Sequence, residues 1–156
     1  MPNKGERTRK KIVYAALQLF SIKGYFHTAI SDILNATGLT KGGLYCHFHS
    51  KEDIWFAVYD EAVRIWCKIV FRDMRTVSDP LVRIERTCER VLLSYLAEDT
   101  FDGGCFFLNM LVELPGQTAT MSRHILRGFV GFSKLFQSWL WEAAQQDRLR
   151  PGLDIK

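Results

Sequence analysis

The sequence predicts an all-α protein. Three observations carry that expectation. Apolar residues recur with a 3.6-residue period over most of the chain, while the alternation of a half-buried strand is nearly absent. Helix signals punctuate it: Thr40, Ser50 and Ser78-Asp79-Pro80 open segments, and Gly24, Gly38, Asp102-Gly103-Gly104 and Pro115 close them. Composition agrees, with 47% hydrophobic and 24% charged residues and four prolines in 156 residues, the balance of an ordinary globular chain.

Each element can be read in order. From Thr8 to Ile22, Ile12, Ala15, Ala16, Leu19 and Phe20 form one stripe with Arg9, Lys10 and Gln18 off it, and Gly24 stops the helix. Thr28 is placed to cap a short helix with Ile30, Ile33 and Leu34 inward, ending at Gly38. Thr40 caps a second short helix through about Phe48. Ser50-Lys51-Glu52-Asp53 resembles a capping box with Asp53 where Glu or Gln is usual. It opens a long helix through Trp55, Val58, Tyr59, Ala62, Trp66 and Val70 to about Asp73. Ser78-Asp79-Pro80 starts the next, with proline at its first position and Leu81, Ile84, Cys88, Val91, Leu92 and Tyr95 following. Cys105 to Leu114 makes a short apolar helix, and a last long one runs from about Thr118 to Gln146. Three short helices thus precede Ser50 and longer, more apolar ones follow it. This divides the chain into residues 1–50 and 51–156.

Charge follows the same division. Through Phe56 there are eight Lys or Arg (4, 7, 9, 10, 11, 23, 41, 51) against four Asp or Glu (6, 32, 52, 53). The remainder of the 21 basic and 17 acidic residues balance, so the net +4 belongs to the first third. A basic end on a neutral body points to a polyanionic partner for that end, or to a solvated tail. No run of eighteen apolar residues suggests a membrane span, and Met1 to Lys11 lacks a secretory apolar core, so a cytoplasmic address is expected. Cysteines at 46, 67, 88 and 105 form no C-x-x-C pair and read as reduced thiols.

The densest chemistry lies in "GLTKGGLYCHFHSKEDIW", Gly38 to Trp55. Thr37-Gly38-Leu39-Thr40 is a short glycine-containing connection between two short helices, as in a helix-turn-helix. The second helix of that motif enters the DNA major groove. Wound at about 100° per residue, Leu44 and Phe48 share a packing face. Gly42, Gly43, Tyr45, Cys46 and His49 lie opposite, with Lys41 and His47 on the flanks. Two helical glycines cost about 1 kcal/mol each relative to alanine, and close backbone approach to a ligand is a reason to keep them. Cys46 and His49 share a face, but His47 points about 100° away, and only His27 is otherwise near in sequence. Neither a four-ligand metal site nor a Cys/His nucleophile with an orienting third group is expected. His47 and Tyr45 also suit simple packing. No paired carboxylates, phosphate loop or triad suggests an enzyme, and no cofactor is expected.

The run F-x-T-x-I-x-D-I-x-x-A-T-G-L-T-K-G-G-L-Y-x-H-F-x-S-K-E-D-I, Phe26 to Ile54, resembles the DNA-binding domain of the TetR family of transcriptional regulators. The resemblance covers about residues 8–56 closely and the helical remainder more loosely. It implies a three-helix helix-turn-helix DNA-binding domain followed by a helical ligand-binding and dimerisation domain. It further implies that Thr28 caps the second helix and bonds a phosphate, and that Ser31 faces the groove. Thr40, Lys41, Gly42 and Gly43 would begin the recognition helix at the bases, with Lys41 supplying most direct readout. Tyr45, His47 and Lys51 would hold phosphates, Cys46 would occupy a variable base-reading position, and Arg7 and Arg9 would reach the backbone or minor groove.

For the second part the resemblance implies a small-molecule effector bound between helices and release of double-stranded operator DNA on binding. Trp66, Met74, Tyr95, Phe106 and Met110 are the candidate pocket residues, although residues so spaced also make ordinary core. Cys105, after two glycines at a helix start, is a candidate redox sensor if exposed and a small core residue if not. Family members pair two C-terminal helices into a four-helix bundle as homodimers. Here the sequence ends at Lys156, where the pattern has another helix. The apolar arc of the last helix is broader than one core contact needs, so Phe132, Phe136 and Trp139 are candidates to touch a partner. The rival reading is a helical effector-binding or interaction module without sequence-specific DNA binding.

Overall fold

The computed structural model describes residues 3–98 and 100–154; Met1 and Pro2 of the basic N-terminus and the last two residues of the second expected unit lie outside them. Among the described residues seven α-helices form the fold: α1 (Lys4–Lys23), α2 (Ile30–Thr37), α3 (Lys41–Tyr45), α4 (Lys51–Val70), α5 (Pro80–Glu89), α6 (Phe106–Glu113) and α7 (Ala119–Gln145). A 3₁₀ turn at Met74–Thr76 and a π-helical stretch at Arg90–Leu96 complete it.

The first helix starts a turn earlier than its apolar stripe. Asn3 accepts a hydrogen bond from the Glu6 N–H at 2.8 Å, and the Glu6 carboxylate accepts one from the Asn3 N–H at 2.9 Å. This capping box orders the turn that carries Arg7 and Arg9, and makes α1 as long as α4 rather than short. The buried set on α1 includes Val13 and Leu17 beside Ile12, Ala16 and Phe20.

The α4 cap forms as its sequence suggests, with Ser50 Oγ accepting from the Asp53 N–H at 3.0 Å. The Asp53 carboxylate reaches one residue past the usual position, to the His49 N–H at 3.0 Å. Asp73, at φ 56°, turns the chain out of α4, ending it short of the expected length. Asp79 caps α5 through the Leu81 N–H at 2.9 Å and pairs with Arg148 beyond α7 at 2.9 Å. Arg83 of α5 pairs with Glu142 of α7 at 2.6 Å, so two ion pairs hold these helices side by side. The wider π turn leaves Leu92 and Leu93 exposed while burying Tyr95.

One contiguous cluster of buried side chains runs from Leu44 and Phe48 under α3, through Ile12, Phe20 and Trp55, to Met110 and Ile125. The Trp55 indole donates to Met110 Sδ at 3.3 Å in its middle. A smaller cluster of Met74, Val77 and Trp139 seals the far end.

The loop before α6 sits hard against the end of α1: a Cβ on Gly103 would lie 1.7 Å from the Ser21 carbonyl oxygen. Gly103→Ala should therefore lose about 1–3 kcal/mol of stability in chemical denaturation, because backbone must move to admit the methyl group. Gly42→Ala, whose Cβ meets nothing within 4 Å, should keep its stability or gain up to about 1 kcal/mol.

Candidate nucleic-acid interface and the cavity behind it

Helix α2 ends at Gly38, which takes the left-handed conformation at φ 65° and donates its N–H to the Leu34 carbonyl at 2.8 Å. The chain then enters α3, where Thr40 Oγ1 accepts from the Gly43 N–H at 3.1 Å. Leu44 and Phe48 are buried beneath α3. The helix is shorter than expected, ending at Tyr45, with Cys46 and His47 continuing as a turn.

The outer face collects most of the residues singled out from sequence. Thr40, Lys41, Gly42, Cys46 and Ser31 are exposed, Tyr45 is 38% exposed, and Gly43 and His47 are half-buried. No side chain covers the backbone at Gly42. Arg7 is exposed on α1, and the Arg9 guanidinium lies 4.8 Å above the Phe48 ring, tying the N-terminal turn to the end of the motif. Among the described residues no cluster of three His, Cys, Asp or Glu side chains is placed to hold a metal ion.

Two expected DNA-contact residues are turned inward. Thr28 is fully buried, and its hydroxyl donates to the Gly24 carbonyl at 2.7 Å. It does not cap α2; the Asp32 carboxylate does so from inside the first turn, accepting from the Ala29 N–H at 2.9 Å. Lys51 is also committed. Its ammonium donates to the Tyr25 and Thr28 carbonyls at 2.8 and 2.9 Å and stands 4.1 Å over the Tyr25 ring. Partial burial lowers its pKa. The start of α4 lies against the α1–α2 loop, so this side chain finds carbonyls before it finds solvent.

The same loop is held from the opposite direction by a residue that sequence reasoning missed. The Glu113 carboxylate, at the end of α6, accepts from the Tyr25 N–H at 2.9 Å and the Phe26 N–H at 2.8 Å. One turn earlier, Asn109 Nδ2 donates to the Gly103 carbonyl at 2.8 Å and the Ser21 carbonyl at 3.4 Å. A signal existed: Asn109 and Glu113 are the only polar side chains of the segment from Phe106 to Leu114, and their i, i+4 spacing puts them on one face.

Other faces of α6 border a partly open cavity of about 390 Å³ lined by α4, the π segment, α6 and α7. Of the predicted pocket residues, Trp66 and Tyr95 line it. Phe106 and Met110 do not; one turn apart on α6, they face the main core, while Phe107 and Leu108 face the cavity. Met74 belongs to the small cluster around Trp139. Cys105 stands just before α6 on the cavity wall, half-buried, its side chain making no capping bond and its Sγ lying 3.5 Å from the Tyr95 hydroxyl. Burial and this thiol raise the Tyr95 pKa, and burial pushes the Cys67 thiol up on the adjoining wall.

The expected partner-facing residues of α7 are likewise turned in. Phe132 packs on Trp66 at 5.1 Å, Phe136 on Phe132 at 4.8 Å, and Trp139 is buried. The apolar residues that α7 shows to solvent are Leu126, Val130 and Trp141.

Comparison with known proteins places this architecture. Residues 12–58 match the family model described as "Bacterial regulatory proteins, tetR family", and residues 80–156 match "Tetracyclin repressor-like, C-terminal domain". The chain is 32% identical over 149 residues to the HTH-type transcriptional repressor DhaR of Mycobacterium sp. (strain GP1), covering 93% of this chain and 71% of DhaR. It is 33% identical over 108 residues to an uncharacterized HTH-type transcriptional regulator in the lacX 3' region of Lactococcus lactis subsp. lactis. That alignment covers 69% of this chain and only 55% of the relative's length. A TetR transcriptional regulator from Chloroflexus aurantiacus J-10-FL superposes with TM-score 0.85 at 30% identity, over 97% of this chain and 76% of that one. No helix among the described residues is long and apolar enough to cross a membrane. With the helix-turn-helix and the helical body matching throughout, the chain belongs to the TetR family of helix-turn-helix transcriptional regulators.

Proposed function

We propose that the chain is a ligand-responsive DNA-binding regulator, a homodimeric repressor that a small molecule releases from its operator. Residues 1–50 read DNA, and residues 51–156 sense the ligand and dimerise. The observation that carries this reading is the double duty of α6. Its Phe107 and Leu108 border the cavity, while its Glu113 holds the loop that leads into the helix-turn-helix. A ligand that shifts α6 therefore shifts the reader, provided it binds the released state more tightly than the DNA-bound one.

In this reading Lys41 contacts a base edge from the start of α3, with Gly42 and Gly43 admitting the DNA closely and Cys46 at a variable base position. Ser31 and Thr40 face the groove. Tyr45 and His47 hold phosphates, and Arg7 and Arg9 steer the backbone. The exposed set on one side of α2 and α3 supports it. A single helix-turn-helix offers few base contacts, so a two-fold pair reads two half-sites. Leu126, Val130 and Trp141 on the outer side of α7 supply apolar surface for the pairing. A chromosomal partner places the protein in the cytoplasm.

Duplexes selected from a random pool by the purified protein give the operator, and fluorescence anisotropy then tests the roles. Lys41→Ala should lose about 1–3 kcal/mol of discrimination at one base pair, while Tyr45→Phe should weaken binding to every sequence alike. Affinity should also fall steeply with salt. If both variants bind the selected site like the parent, the recognition-helix assignment is wrong; if no duplex is selected at all, the rival interaction-module reading stands.

Glu113→Ala should uncouple the two parts. In the parent, DNA should weaken ligand binding by about 5–150-fold, the usual range for a coupling of this kind. In the variant this ratio should fall towards one, while the ligand still binds the free protein. An unchanged ratio would place the coupling elsewhere.

A further inference from the structure

The chemistry of the cavity wall limits what it can hold. Among the described residues no Lys, Arg, His, Asp or Glu lines it, and the lining is dominated by Val63, Trp66, Phe107, Phe129 and Phe132. An anion seated against these walls would lose hydration and find no cation to pair with, an unfavourable exchange at low dielectric. The volume, about 390 Å³, falls within the range of small-molecule pockets.

Within this apolar lining one polar group stands out. Tyr59 is only 8% exposed, and its ring is fixed by Trp55 at 5.6 Å, Phe107 at 5.9 Å and His124 at 4.5 Å. Among the described residues its hydroxyl has no hydrogen-bond partner, whereas the Tyr95 hydroxyl has the Cys105 thiol. The hydroxyls of buried tyrosines ordinarily find a hydrogen-bond partner. The Tyr59 hydroxyl meets α7 at Gly128, where a Cβ would lie 2.2 Å from its oxygen. Glycine thus leaves room for the hydroxyl at the point where two lining residues of the cavity meet.

We infer that the cavity takes a neutral, largely apolar molecule bearing one hydrogen-bond-accepting oxygen, which the Tyr59 hydroxyl receives. This rests on the reading of the cavity as the ligand site. Tyr59 serves as the polar anchor, and the aromatic walls supply most of the affinity through area removed from water. Carboxylates and phosphate-bearing ligands are selected against by the lack of any cation in the lining.

Three matched probes test this on the full chain by equilibrium dialysis: 2-acetylnaphthalene, its hydrocarbon isostere 2-isopropenylnaphthalene, and 2-naphthoate. The parent should bind both neutral probes, and the carboxylate at least tenfold more weakly than the ketone. Tyr59→Phe removes a hydroxyl with no partner among the described residues, so its melting temperature should match the parent's. It should weaken the ketone roughly 2- to 10-fold, the range of one hydrogen bond, and leave the hydrocarbon unchanged. The inference is overturned if neither neutral probe binds, if 2-naphthoate equals the ketone, or if Tyr59→Phe changes both neutral probes equally or neither. Adding the probes to the protein–DNA complex separates the two readings. Probes that bind in the expected order but leave the complex intact count against the release mechanism and for the cavity assignment. Release by 2-naphthoate and not by the ketone does the reverse.

Discussion

Between Gly24 and Ala29 the chain leaves one helix and enters another, and the Tyr25 and Phe26 N–H groups and the Tyr25 and Thr28 carbonyls lie outside both helical ladders. Two side chains from elsewhere satisfy them. The Lys51 ammonium bonds the Tyr25 and Thr28 carbonyls from α4, and the Glu113 carboxylate bonds the Tyr25 and Phe26 N–H groups from α6. Charged partners make these bonds stronger than neutral ones, and removing either would leave part-buried backbone groups without these partners. The position of the helix-turn-helix relative to the body depends on this pair. Gly24, at φ 84°, belongs to the same arrangement, since a Cβ there would approach Glu113 Oε1 to 2.8 Å. Only glycine both adopts that conformation freely and leaves the carboxylate its place.

From this clamp the organisation of α6 follows. A short helix with three occupied faces has little freedom. Phe106 and Met110 enter the core, Phe107 and Leu108 border the cavity, and Asn109 and Glu113 grip the end of α1 and the loop beyond it. Motion at the cavity wall cannot stay local, because packed interiors move as bodies rather than deform continuously. That makes α6 the mechanical link in the proposed ligand response. The neutral lining and the unpartnered Tyr59 hydroxyl say which molecules would drive it.

The reading helix is built on the opposite principle. Its inner face is fully committed through Leu44 and Phe48, and its outer face is kept bare by Gly42 and Gly43. Lys51, expected at the same surface, is used inside, so the burden of proposed contact falls on Lys41, Tyr45, His47 and the arginines of α1.

Much of this was legible in the chain itself. The all-α class, the stops at Gly24 and Gly38, the caps at Thr40, Ser50 and Asp79, and the helix-turn-helix face all rest on interactions within four residues. Local sequence determines such interactions, because the partners are always in reach. What failed was decided at long range. Thr28 and Lys51 have side chains suited to phosphate, yet burial against α1 and the loop redirects both. Phe106 and Met110 match Phe107 in chemistry, and only the rotation of α6 between core and cavity sorts them. Phe132, Phe136 and Trp139 looked like surplus surface until Trp66 and the Met74 cluster covered them. Glu113 lies 88 residues from Tyr25, and no local pattern announces a partner at that distance. Sequence alone determined which residues are helical and which face of α3 is free. Tertiary packing decided where the polar groups without local partners went, since that choice belongs to whichever helix arrives beside them.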